Sequence, residues 1–338
     1  MRRIVMASAL AASLAACAAT PPIAGLPAVP VTASGETKPV GTANADAADD
    51  PAIWRNPADP AASYIVATDK KAGLQVYDLA GKLVFAEESG RVNNVDLADM
   101  GPDGVIVVAS DRNDLANAHL VIWRLDKATG HLARLGRVPG GTGEGYGLCL
   151  WKGADGLYAF SVLKDGTVEE FLLSLGSEPA SRMVRKMKVP TQAEGCVVDP
   201  RDGTLYVGEE DAGIWRFAPG ETAGTVVAPA DNKYLVADVE GLALLPDGAR
   251  GGYLLASSQG DNSYAVFSLP DVAPIGRFRI AAGTFGATEE TDGIEVMGGS
   301  FGPEYPEGLF VAQDGHNAPQ AQNFKLVSWK AIREALGL

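Results

Sequence analysis

Along most of this chain apolar and polar residues alternate in short runs, and the runs are separated by glycine, proline and acidic residues. A period of two places successive side chains on opposite faces of an extended backbone, so the pattern predicts short β-strands joined by turns. The runs also repeat as groups. Glu194-Gly195 is followed by LYVGEED at 205–211, Glu240-Gly241 by YLLASSQGD at 253–261, and Asp292-Gly293 by LFVAQDG at 309–315, with starts 46 and 52 residues apart. Weaker copies begin at Asp50, with IVATDKKAGLQVYDL at 65–79, at Asn94-Val95-Asp96, with VIVVASDRND at 105–114, and at Gly145-Tyr146-Gly147, with LYAFSVLKDG at 157–166.

This spacing is too long for one hairpin and fits a four-stranded propeller blade of roughly 40 to 50 residues. Six copies predict an all-β chain: a six-bladed β-propeller with mostly four-stranded antiparallel blades, over residues 46–338. The plainer alternative is that each Asp-Gly or Glu-Gly pair marks a turn. Turns alone do not require acidic tips at matched places in successive repeats. WKAIREALG at 329–337 has a helical pattern and predicts a short terminal helix. Trp54, Trp123, Trp151, Trp215 and Trp329 are expected in blade packing.

The N-terminal MRRIVMASALAASLAAC combines a basic start, an apolar segment and small residues. Residues 1–16 therefore read as a signal peptide, too short for a membrane span. Leu14-Ala15-Ala16-Cys17 resembles the bacterial lipoprotein box, which implies membrane contact through a lipidated Cys17. Ala18 is not the aspartate of inner-membrane retention, so the expected location is extracytoplasmic, on the outer membrane, facing the periplasm or the surface. Residues 17–45, rich in Ala, Pro, Thr and Gly, read as a tether whose end nearest Asp46 completes the last blade. Cys149 and Cys196 sit in the apolar runs GLCL and GCVVDP and are expected as two buried thiols.

Charge narrows the chemistry. With 42 acidic and 28 basic residues the net charge is −14, which argues against nucleic acid as a partner. A propeller gathers blade-end residues around one axial channel, where Asp49, Asp50, Glu194, Glu209, Glu210, Asp211, Asp238, Glu240, Gln259, Asp292, Glu295 and Asp314 would converge. Such carboxylates repel one another unless protonated or paired with cations, and oxygen ligands suit hard ions such as Ca²⁺. Only His119, His131 and His316 are present, too few for a histidine-rich zinc site. Basic residues also fall at blade ends: Lys70, Lys71, Arg112 and Lys164. Beside bound calcium they describe a receptor for a highly charged anion. Neither a Gly-x-Ser-x-Gly elbow nor a Walker loop occurs, which leaves metal-activated water as the nucleophile, oriented by Glu194 or Glu210.

In DDPAIW (49–54), TDKKAGLQVYDLAGK (68–82), NNVD (93–96), AEG (193–195), GEED (208–211), DVEGL (238–242), YLLASSQGDNSYAVF (253–267), TDGIEV (291–296) and GPEYPEGLFVAQDG (302–315), the chain resembles the beta-propeller phytases, a bacterial calcium-dependent family of 3-phytases. The resemblance implies a six-bladed, monomeric catalytic domain that removes phosphate from inositol hexakisphosphate or its calcium complex, with a cleavage subsite beside an affinity subsite. It also implies phosphate contacts at Lys70, Arg112, Tyr146 and Lys164, and calcium or calcium-bound water at Glu194, Glu210, Asp238, Glu240, Gln259 and Asp292. Structural calcium is implied at Asp50 and Asp314, with the carbonyls of Pro51 and Val95. One departure stands out: GTFGATEETDG lacks the longer acidic loop that some members carry before TDG, so a structural calcium ligand would be missing or replaced by Glu289 or Glu290. The competing readings are a calcium-dependent propeller lactonase, another phosphoesterase, and a non-catalytic calcium-binding surface propeller.

Overall fold

A computed structural model describes residues 23–338; the expected signal segment and Cys17 lie outside them. Six antiparallel sheets stand around one axis, five of them built from four consecutive strands apiece and the last closed by an N-terminal strand. Their innermost strands are Ala48–Trp54, Val92–Asp99, Gly145–Gly153, Ala193–Val198, Val239–Asp247 and Ile294–Gly298. Each begins at or beside one of the repeated acidic or glycine positions, so the repeat read from sequence is the blade.

Alternation within the strands packs the blades against one another. In the first blade Val66 and Val76 face a cluster shared with Val107 and Trp123 of the second, whereas Ile65, Ala67 and Tyr77 face one shared with Leu309 and Phe324 of the sixth. Six such clusters fill the six gaps between neighbouring blades. Both faces of every sheet are therefore buried, and the ring is one domain. Trp54, Trp123 and Trp329 belong to these clusters and Trp151 and Trp215 pack on their margins, as expected.

The boundary of the domain is corrected at the N-terminus. Within the expected tether, Val29–Thr32 adds a fifth, parallel strand to the fifth blade beside Ala273–Ala281, and Gly35–Glu36 pairs with Asn323–Ser328 as the outer strand of the sixth. Arg277, buried in the fifth blade, donates to the carbonyl of Leu26 and pairs with Asp261, which in turn accepts from the Gly25 N–H. Gly35–Glu36 completes the last blade, as expected of the later part of the tether, whereas low complexity hid Val29–Thr32, whose partner strand, Ala273–Ala281, lies far along the chain.

A second correction concerns Cys149 and Cys196, which form a disulfide with Cα atoms 5.6 Å apart. They lie on the innermost strands of blades three and four, which are brought side by side by the packing of successive blades. The predicted helix is present at Trp329–Leu336, capped by Gly337 at a left-handed φ of 72°. No helix among the described residues is long and apolar enough to cross a membrane.

Candidate active site

At one end of the axis every blade offers two positions, and the backbone explains both. The lower tier lies at the start of the innermost strands: Asp49, Asn93, Tyr146, Glu194, Glu240 and Asp292. In five blades the strand register shifts there, between Ala48 and Pro51, Val92 and Val95, Gly145 and Leu148, Ala193 and Cys196, and Val239 and Leu242. A bulge of this kind re-aims a side chain that regular alternation would send between blades. The glycines beside these residues are not turn formers. A Cβ on Gly195 would stand 2.2 Å from the Glu240 carbonyl oxygen, and one on Gly147 would stand 1.8 Å from that of Glu194. Acid and glycine recur together because adjacent inner strands nearly touch where the acid turns inward.

The upper tier is the turn between the second and third strands: Lys70, Arg112, Lys164, Glu210, Gln259 and Asp314. In five blades the turn N–H donates to the carbonyl just before the innermost strand, Lys70 to Ala47, Arg112 to Arg91, Lys164 to Glu144, Glu210 to Gln192 and Gln259 to Asp238. This repeated bond sets the tip beside the lower tier. Blades one to three thus present cations and blades four and five a carboxylate and an amide, across a funnel of about 590 Å³ lined by Lys70, Tyr146, Glu210, Asp238, Glu240, Gln259 and Asp292.

Glu194, Glu210 and Glu240 each bring one oxygen into a group within 4.8 Å of one another. Glu194 accepts from Asn93 Nδ2 at 2.6 Å, Asn93 in turn accepts from Arg112, and Glu210 accepts from Gln192 Nε2 at 2.6 Å. Gln259 donates to Asp292 at 2.7 Å. The buried Lys70 ammonium lies 2.8, 2.9 and 3.0 Å from Asp46, Asp49 and Asp292. Arg112 and Lys164 stand over the Tyr146 ring, 5.8 and 5.1 Å from its centroid.

Crowding of like charges in a buried site sets the protonation. Burial, reinforced by Asp49 and Glu240, holds Glu194 well above the usual carboxylate range, and burial with Asp292 and Glu210 does the same for Glu240. Asp292 is pushed to about 7 by burial and Asp49, against the pull of Lys70. Burial also raises Glu210 and Asp238. Burial opposes the charge of Lys70, yet Asp49, Asp292 and Asp46 outweigh it and raise its pKa. Tyr146 is raised by burial and Glu194, so its hydroxyl keeps its proton.

The candidate residues separate into three places. Lys70, Tyr146, Glu210, Asp238, Glu240, Gln259 and Asp292 line the funnel, Glu194 adjoins it beside Glu210 and Glu240, and Arg112 and Lys164 adjoin it over the Tyr146 ring. Further along the inner strands, Asp50, Pro51 and Val95 border a small second cavity of about 30 Å³ with Asp96 and Glu295. Asp314 joins neither group: its carboxylate pairs with Lys325, 3.1 Å away. Sequence reading missed Asn93 and Gln192, the neutral partners that orient Glu194 and Glu210. Their signal was position alone, at or just before the repeated strand start. Of the histidines, His316 borders a groove beside the funnel, and His119 lies on an outer groove.

Comparison with known proteins agrees with this geometry. The family model described as Phytase matches residues 3–338. A 3-phytase of Bacillus subtilis (strain 168) is 39% identical over 330 residues, covering 91% of this chain and 85% of that protein. The chain belongs to the phytase family.

In this phytase the funnel carboxylates fit a hard cation. Oxygens on opposite sides of one calcium ion stand about 5 Å apart, from bonds of roughly 2.3–2.6 Å, and the glutamate trio meets that span. Glu240 Oε2 and Asp49 Oδ1 are buried without a hydrogen-bond partner. Uncompensated acceptors of this kind gain from a cation and cost stability without one.

Proposed function

We propose that this chain is a calcium-dependent phosphomonoesterase that converts inositol hexakisphosphate, free or as its calcium complex, into lower inositol phosphates and inorganic phosphate. The observation that carries the reading is the split rim of the funnel: three cations over one half and a carboxylate trio in the other. Phosphate esters need both, since a carboxylate cup alone repels them and a basic cup alone does not hold metal.

Calcium held by Glu194, Glu210 and Glu240, with Asp238, Gln259 and Asp292 as further oxygen donors, would supply positive charge to phosphate oxygens and acidify its bound water. The side chains divide the remaining work. Arg112, whose Nε is buried without a hydrogen-bond partner, and Lys164 take phosphate oxygens on one side of Tyr146. The protonated Tyr146 hydroxyl donates a further hydrogen bond. Lys70 offsets Asp49 and Asp292, so that an anion can approach them. Glu194, fixed by Asn93, and Glu210, fixed by Gln192, orient the attacking water and accept its proton. Two groups of donors around one cavity suit adjacent phosphates on one ring.

The Cys149–Cys196 disulfide supports an oxidising compartment, in keeping with a signal segment, a lipid anchor at Cys17 and a monomeric domain outside the cytoplasm. The test is phosphate release from inositol hexakisphosphate by the full chain, with calcium and after chelation, beside Lys70→Ala and Glu210→Ala. Calcium-dependent release is expected, reduced by about 100-fold or more in each variant. Folded, calcium-loaded protein that releases no phosphate would sink the reading, and turnover of an aldonolactone instead would make the chain a lactonase.

A further inference from the structure

Lys325 is fully buried, on the strand Asn323–Ser328 of the sixth blade. Its ammonium donates to Glu36 Oε2 at 2.6 Å, Asn323 Oδ1 at 3.0 Å and Asn317 Oδ1 at 3.3 Å, which uses all three of its protons. Asp314 Oδ2 stands 3.1 Å away as a charge partner. Gly286 forms another wall, since a Cβ there would lie 3.6 Å from the nitrogen. Four oxygens, two of them anionic, thus surround one positive charge. They come from the N-terminal closing strand, the end of Gly308–Asp314, the following loop and the start of the next strand.

An oxygen cup of this composition suits a hard divalent ion, and the resemblance to the phytases places structural calcium at Asp314. The two do not fit together here. A calcium ion among these oxygens would sit against a buried ammonium that already offsets their two negative charges, while Asp314 Oδ2 holds the ammonium as a charge partner and accepts no hydrogen bond. Glu289 and Glu290 do not rebuild the site: the Glu289 backbone N–H donates to Asp314 Oδ1, and Glu290 lines the funnel. We infer that Lys325 occupies a structural cation site from within the chain, so that the clamp between the N-terminal strand and the last blade needs no calcium. Calcium is then required at the axis and not for closing the ring. This rests on the reading that the funnel takes calcium, but its test reads stability.

Thermal unfolding of the full chain, with calcium and after chelation, decides it. Asp314→Asn is expected to lower Tm by the same amount in both conditions, leaving the calcium-induced rise of the wild type intact. Disappearance of that rise in Asp314→Asn would make Asp314 a calcium ligand and overturn the inference. Lys325→Ala empties the cup. It is expected to melt lower after chelation, to recover part of the loss with calcium, and to bind one more calcium per chain in equilibrium dialysis. Folded Lys325→Ala that binds no additional calcium also overturns the inference, and if that variant does not fold, Asp314→Asn decides alone. Wild-type protein that releases no phosphate, with the calcium-induced rise and this melting pattern intact, would strike the phosphatase activity and still support this inference.

Discussion

At the scale of single residues, the site depends on small side chains as much as on charged ones. Gly195 lets the backbone of Glu240 approach its own, so Gly195→Ala forces the two inner strands apart, at about 1–3 kcal/mol for overpacking. The same shift separates Glu194 from Glu240, and calcium affinity falls with stability. Gly176→Ala, with nothing within 4 Å of the added methyl group, is the control, and a calcium titration with thermal melts distinguishes them. Equal behaviour of the two variants would refute the close-approach argument. Lys70→Met leaves Asp49 and Asp292 facing each other without a cation. In chelated protein the loss is about 3–5 kcal/mol at neutral pH. It shrinks below the Asp292 value of about 7, where that carboxyl is protonated. Denaturant melts at pH 5 and 8 measure the difference, and a loss independent of pH would assign Lys70 a packing role only.

At the scale of elements, one unit made six times carries the architecture: an inner strand with a bulge, and a turn pinned to the carbonyl before it. The unit explains why site residues are spaced like blades, with only the side chains differing between copies. Adjoining inner strands are locked in one case by covalent linkage, since Cys149 and Cys196 join blades three and four near Tyr146 and Glu194. Cys149→Ser or Cys196→Ser is expected to cost about 2–4 kcal/mol. Reduction of the wild type should reproduce the loss in a denaturant melt, and a reductant without effect would show that the bridge does not form. The pairing was not legible in GLCL and GCVVDP because each run reads as ordinary buried strand. Only the adjacency of two strands 47 positions apart makes the thiols neighbours.

For the whole molecule, convergence of acids on one axis links stability to pH. Asp292 is raised to about 7 and Asp96 to about 6 from an ordinary 3.8, burial being the first cause in each. The folded chain therefore holds these protons more tightly than the unfolded chain. Their contribution is present below the unfolded value and is lost as pH rises through about 6 to 7. Tm of chelated protein is expected to fall from pH 5 to 8, and calcium, by favouring the charged carboxylates, to stabilise more as pH rises. A Tm that rises over this range after chelation would contradict it. The strand period, the blade count, the recurrence of acids at blade starts and the basic tips at Lys70, Arg112 and Lys164 are legible in the amino-acid order, because these are local patterns repeated along the chain. That Asn93 and Gln192 orient the glutamates, that Cys149 pairs with Cys196, and that Lys325 meets Glu36, 289 positions away, follows from the folded arrangement alone. These contacts arise within a blade for Gln192 and Glu210, between successive blades for the cysteines, across the axis for Asn93 and Glu194, and at the closure of the ring for Lys325 and Glu36. Strand periodicity reports which way a side chain points and is silent about which distant strand it will meet.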